Sequence, residues 1–239
     1  MVLMGTSARA SVISTFDTDA DGWTTFQNPG APFGWLSSGG NPDGHLFATD
    51  KSLVWAYVQA PAKFLAPAPY GGAFSFDLRV DNLETPVGFP AIFSVRAGLQ
   101  GAGFTLINEG GLPTTSWKNY SFTLDETSGS GWRKFSNLDQ PYVVSAPLAS
   151  QAEMQLVLAN LTRIVIASDY TANAIDNNIP GAALDTTHLD NVQIASAAAV
   201  PEPTSITLCW VLLCAGLGYC VLARIGWITR GLPARVKDK

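Results

Sequence analysis

The chain has 239 residues, of which 47% are apolar and only 14% charged, against ~25% charged in an average soluble domain. This excludes a disordered acidic or basic tail, because such chains lack apolar residues to bury. The formal net charge of −5 conceals an asymmetry: 9 Lys+Arg stand against 18 Asp+Glu before Arg224, whereas 5 Lys+Arg stand against a single acid from Arg224 onward. A body this acidic repels a nucleic-acid backbone, so no nucleic-acid partner is expected.

In chain order, residues 1–10 (MVLMGTSARA) lack a basic n-region and a full apolar core, yet Ala8-Arg9-Ala10 has the A-x-A shape of a signal-peptidase site. They read as the remnant of a signal peptide whose front lies upstream of an internal Met. Residues 11–16 form a first strand-like run, and apolar alternation of period 2 then recurs at 54–58, 72–80, 91–97 and 120–124. The stretch 72–80 is the clearest: Phe74, Phe76 and Leu78 fall on one face, and Ser75, Asp77 and Arg79 on the other. Turn clusters separate these runs at 28–30, 39–44, 108–111 and 127–131. Only 148–161 has helical spacing, and 162–167 (TRIVIA) resumes as a strand. With 22 Gly and 15 Pro, many strands and one short helix predict an all-β, two-sheet antiparallel sandwich over residues 11–195. Residues 191–199 (NVQIASAAA) read as a small-residue spacer, with 196–203 as linker.

Residues 204–223 (TSITLCWVLLCAGLGYCVLA) carry no charge. As a helix they would be ~30 Å long, the thickness of a bilayer's hydrocarbon core. Pro201 and Pro203 precede the run, and Arg224, Arg230, Arg235, Lys237 and Lys239 follow it. The expectation is a single-pass transmembrane helix with residues 224–239 as a basic cytoplasmic tail and the acidic body on the far side. The three cysteines, Cys209, Cys214 and Cys220, all lie in this run, so the body folds without disulfides. The ordered set Val200-Pro201-Glu202-Pro203, apolar span, Arg224 and chain end resembles the PEP-CTERM sorting signal of Gram-negative bacteria. The resemblance implies an exosortase as partner and cleavage near the tripeptide. The precursor would sit in the inner membrane with its body in the periplasm, and the product would pass to the cell surface or extracellular matrix. The two prolines keep the segment extended, as a protease substrate must be.

A second resemblance covers residues 11–195. Phe16-Asp17-Thr18-Asp19-Ala20-Asp21-Gly22-Trp23, the run 39–46 (GGNPDGHL), Trp55-Ala56-Tyr57-Val58, the stretch 70–79 and Leu189-Asp190-Asn191-Val192 occur in the order found in laminin B (laminin type IV) domains. The resemblance implies a jelly-roll sandwich of the galactose-binding type and a non-catalytic role in matrix. The cysteine-rich repeats that flank animal laminin modules are missing, which leaves a laminin-type partner in doubt.

Asp17, Asp19 and Asp21 before Gly22 imitate half of a helix–loop–helix calcium site, but position twelve of that loop is Asn28 rather than Glu. In sandwiches of the implied fold the first and last strands lie together and often share a structural Ca²⁺. That makes Asp17, Asp19 and Asp190 candidate oxygen ligands. The alternative is that these aspartates cap turns.

Trp23, Trp35, Trp55, Trp117 and Trp132 could stack on sugar rings, although a sandwich buries most of its large aromatics. Signals for catalysis are absent. No two of Glu84, Glu109, Glu126 and Glu153 are paired by spacing, and no G-x-S-x-G elbow accompanies His45 or His188. The chain is therefore read as a non-enzymatic structural or adhesive component of the cell surface or extracellular matrix, with polysaccharide as its expected partner. A carbohydrate-binding module and a secreted hydrolase are the alternatives.

Overall fold

The computed structural model describes residues 11–50, 55–83, 92–127, 129, 131–138, 145–171 and 185–196. The chain divides after Ala198, and all described residues fall in the first unit, Met1–Ala198. Among the described residues no helix is long and apolar enough to cross a membrane. The expected span at 204–223, the sorting motif Val200 to Pro203, Arg224 and the remnant at 1–10 lie outside the described residues.

Among the described residues, two six-stranded antiparallel sheets form the body. The first runs β3 (Phe33–Leu36), β4 (His45–Thr49), β12 (Thr186–Ala195), β6 (Ala73–Val80) and β9 (Lys118–Thr123), with β1 (Val12–Ser14) also paired to β12. The second runs β10 (Arg133–Phe135), β8 (Phe104–Glu109), β7 (Arg96–Gly101), β11 (Leu161–Ala167), β5 (Tyr57–Gln59) and β2 (Thr24–Phe26). The expected all-β sandwich with one short helix is what forms, and the first and last strands are neighbours as anticipated.

The alternation in 72–80 works as read. Phe74, Phe76, Leu78 and Val80 are fully buried, and across the register they meet Ile194 and Phe122, Tyr120, Leu189, and Thr187 in turn. Opposite them lie Leu99, Leu106, Ile164 and Ile166, also fully buried. Burying such side chains at ~1.5–3 kcal/mol each supplies the main driving force of a disulfide-free sandwich.

The two sheets differ on their outer faces. In the second, consecutive residues of β7 and β8 are buried, so both faces are covered. The helix α1 (Gln151–Ala159) packs on these strands through Met154, Val157 and Leu158, and Leu138 covers Gly98 of β7. In the first sheet β9 alternates buried and exposed residues, so its polar half reaches solvent.

Four expectations shift. The strand sought at 91–97 is β7, Arg96–Gly101, because its hairpin with β8 turns at Ala102 and Gly103, both at positive φ, and that turn sets the register. Asn108 and Glu109 therefore belong to β8 rather than to a turn, with Glu109 held opposite Arg96. The helix is shorter than 148–161, since Ser150 caps it in a capping box with Glu153 and Asn160 ends it. Residues 191–195 are no spacer: they complete β12, where Val192 and Ile194 are buried in the core.

Candidate functional site: the polar face under the glycine loop

The polar half of the first sheet converges beneath the glycine-rich segment 38–44. Strand β12 carries a bulge between Asp190 and Gln193, with Asn191 at φ 48°. An extra residue turns two successive polar side chains outward while Leu189 and Val192 stay in the core. Asp190 is then buried, accepting the Asn41 N–H at 2.5 Å on Oδ2 and the Asn191 N–H at 2.7 Å on Oδ1. Its cross-strand neighbour Asp77 gathers three amides. Asn119 Nδ2 donates to Oδ1 at 2.8 Å, and Asn191 Nδ2 at 2.9 Å and Asn41 Nδ2 at 3.1 Å donate to Oδ2. Burial pushes the Asp190 carboxyl up to about 6, against the lowering pull of its two main-chain donors, and the Asp77 and Asp17 charges add to the rise.

Only glycine fits at two points of the segment. A Cβ on Gly40 would lie 2.4 Å from Gly44 O, 2.6 Å from Asp43 O and 2.7 Å from Asp190 Oδ2; one on Gly44 would lie 2.1 Å from Phe16 O. Two main-chain oxygens and Asp190 Oδ2 thus crowd one position.

Next to this carboxylate nest sits an aromatic and imidazole cluster. His45 and His188, far apart in sequence, bring Nε2 and Nδ1 to 2.9 Å. His188 Nε2 lies 2.8 Å from Asp81 Oδ2, an ion pair only when the imidazole is protonated. Burial, then the neighbouring His188 and Arg79 charges, bring His45 down to about 4. Burial likewise lowers His188, with Asp81 pulling the other way. Trp117 stands edge-on to His45 at 5.6 Å and donates its indole N–H to Gly39 O at 3.1 Å. Arg79 lies over that indole at 5.4 Å.

The sequence-predicted ligands are only partly brought together. Asp17 is exposed and accepts from Thr15 Oγ1, and Asp19 caps its own turn by accepting the Asp21 N–H at 2.6 Å. Asp21 is taken by Lys63 and Ser14. No group of three or more His, Cys, Asp or Glu side chains is placed to hold a metal among the described residues. Of the tryptophans, Trp23, Trp55 and Trp132 are buried, as a sandwich core requires, while Trp35 and Trp117 are half-buried. Glu109, Glu126 and Glu153 are tied to Arg96, Tyr70 and Lys134 respectively, and Glu84 lies outside the described residues. A cavity of about 30 Å³ beside Val12, Phe64, Pro67 and Ile194 is water-sized.

A family model described as Laminin B (Domain IV) matches residues 57–201. Human laminin subunit gamma-1 is 30% identical over 207 residues, covering 85% of this chain and 11% of that protein, so the chain spans about a tenth of that relative. Among solved structures, the L4b domain of human laminin alpha-2 superposes with a TM-score of 0.47 at 13% identity, covering 74% of this chain and 97% of that one. The family 11 carbohydrate-binding module of the cellulosomal cellulase Lic26A-Cel5E of Clostridium thermocellum gives 0.47 at 15%, covering 80% and 97%.

Proposed function

The chain belongs to the laminin B (domain IV) family, and from that premise we propose that it is an extracellular, non-catalytic module that binds polysaccharide through the outer face of its first sheet. The observation that carries this reading is the asymmetry of the two outer faces. Over β7 and β8 one is covered by α1 and the Leu138 connection; the other is polar, closed by the segment 38–44 at Asp77 and Asp190 and open to solvent at Asn119, Ser121 and Thr123 of β9 beside a half-buried tryptophan. Hydroxyl and amide groups on a rigid sheet suit sugar hydroxyls, and an aromatic ring suits a pyranose face. The engagement of Glu109, Glu126 and Glu153 with separate partners speaks against the hydrolase alternative.

A structural Ca²⁺ belongs to the same proposal. Asp190 and Asp17 with the main-chain oxygens of Asp43 and Gly44 would hold it, all hard oxygen donors of the kind Ca²⁺ takes. Asp19 would contribute only by giving up its turn.

The proposal extends to delivery: Val200 to Pro203 and Arg224 bracket the uncharged run 204–223, which would anchor the precursor in the inner membrane until an exosortase releases the body to the cell surface or matrix. To test delivery, a tagged copy is expressed with and without the exosortase and fractionated. Loss of the tail epitope and release of the body only when the enzyme is present is the expected result. An intact tail in both strains would contradict it.

A further inference from the structure

The polar face is not uniform, and one corner of it is under-used. Arg79 is partly exposed, at 28%, and among the described residues its one ion pair is a loose 3.6 Å contact of Nη2 with Asp81 Oδ1, its Nε being buried without a hydrogen-bond partner. Asp81 is itself half exposed, at 51%, with Oδ2 turned to His188 Nε2 at 2.8 Å and Oδ1 toward Arg79. Both therefore keep hydrogen-bonding capacity, the guanidinium as donor and the carboxylate as acceptor. The same guanidinium lies over Trp117, whose ring is pinned by its N–H bond to Gly39 O and by its perpendicular contact with His45. A ring held in place before the ligand arrives loses little freedom on binding.

We propose that Trp117, Arg79 and Asp81 form a subsite for one uncharged pyranose ring of a neutral polysaccharide, the indole taking the ring's apolar face while adjacent hydroxyls bridge the guanidinium and the carboxylate. The inference rests on the polysaccharide reading above and adds the residues and the charge class. A sugar hydroxyl both donates and accepts, so one hydroxyl accepting from the exposed side of Arg79 and its neighbour donating to Asp81 satisfies each better than their own long contact does. Charge decides against an acidic sugar. One cation and one anion cancel in the corner, Asp77 and Asp190 lie on the same face, and the chain before Arg224 carries 18 acids against 9 bases. A uronate carboxylate would gain Arg79 but meet Asp81 directly, on an acidic body.

The test uses the purified full-length chain in a mild detergent, with binding measured by calorimetry to laminarin, xylan, starch and polygalacturonate, the last also as its methyl ester. The neutral ester is expected to bind at least about tenfold more tightly than the free acid. Trp117→Ala should weaken the tightest neutral ligand about tenfold, and Arg79→Gln by several-fold. Because Trp117→Ala also frees Gly39, Trp117→Phe is the control: it loses the N–H bond but keeps a ring, and should retain most of the affinity. Equal binding of acid and ester, or wild-type affinity in a folded Trp117→Ala, would overturn the subsite while leaving polysaccharide binding in place. Binding to none of the polymers would overturn both.

Discussion

Asp77 is the residue on which the polar face turns. Its two oxygens accept from Asn41, Asn119 and Asn191, which belong to the glycine segment, β9 and β12. A carboxylate on β6 thereby ties together three separate pieces of chain. Removing a buried acceptor leaves its donors unpaired, at ~1–3 kcal/mol for each that water cannot reach. Asp77→Ala should therefore lower the unfolding free energy by about 2–3 kcal/mol in urea titrations, whereas Ser121→Ala on the open strand β9 should change it by less than ~0.5 kcal/mol. A loss as small at Asp77 as at Ser121 would mean the amides find other partners. The alternation of residues 72–80 already sorted Asp77 and Arg79 to the outer face. What it could not supply was their partners. Asn41 lies 36 residues from Asp77 and Asn191 lies 114 away, and neither spacing carries a local signal.

Among the elements, α1 is the one whose ends are most clearly encoded. Ser150 and Glu153 exchange hydrogen bonds in a capping box, and Lys134 of β10 fastens Glu153 to the second sheet. Ser150→Ala should cost about 1 kcal/mol. The Lys134 hydrogen bond, then those from Ser150, bring the Glu153 carboxyl down to about 2 from its ordinary 4.5. A folded value below the unfolded one means the contribution is complete above pH 4.5 and is lost as pH falls toward 2. Wild type should thus lose part of its margin over Glu153→Gln between pH 5 and pH 2.5 in urea titrations, and a constant margin would contradict the pairing. The helix was legible from the apolar spacing of residues 148–161, although its Ser150 cap was not, and residues 162–167 were legible as a strand because the apolar run 164–167 suits a sheet buried on both faces. The hairpin of β7 and β8 was not, since Ala102 and Gly103 lack the Asn-Gly signature of a two-residue turn. Nor was the end of β12: Ala195 and Ser196 look like a spacer until Val192 and Ile194 are seen to close the core.

For the whole molecule, the architecture was readable from composition and alternation, while the site was readable only in pieces. Asp190 was reached through the pairing of the first and last strands, and the histidine pair was not reached at all, because 143 residues separate His45 from His188. The calcium proposal is a property at this scale, since its donors come from both ends of the chain. Saturating Ca²⁺, at ~100 times its dissociation constant, adds ~2.7 kcal/mol, which in a domain of this size raises Tm by about 5–10 °C. Asp190→Asn should abolish that shift, and equal shifts in both proteins would remove the site.

The claim on which the account depends is that the first sheet's outer face engages the polysaccharide. Hydrogen–deuterium exchange on the full-length chain, with and without the polymer it binds most tightly, tests it directly. Protection is predicted across residues 38–44 and 117–123, with α1 and its neighbours unchanged. Protection centred on α1, or none at 38–44 and 117–123 at saturating polymer, would contradict it.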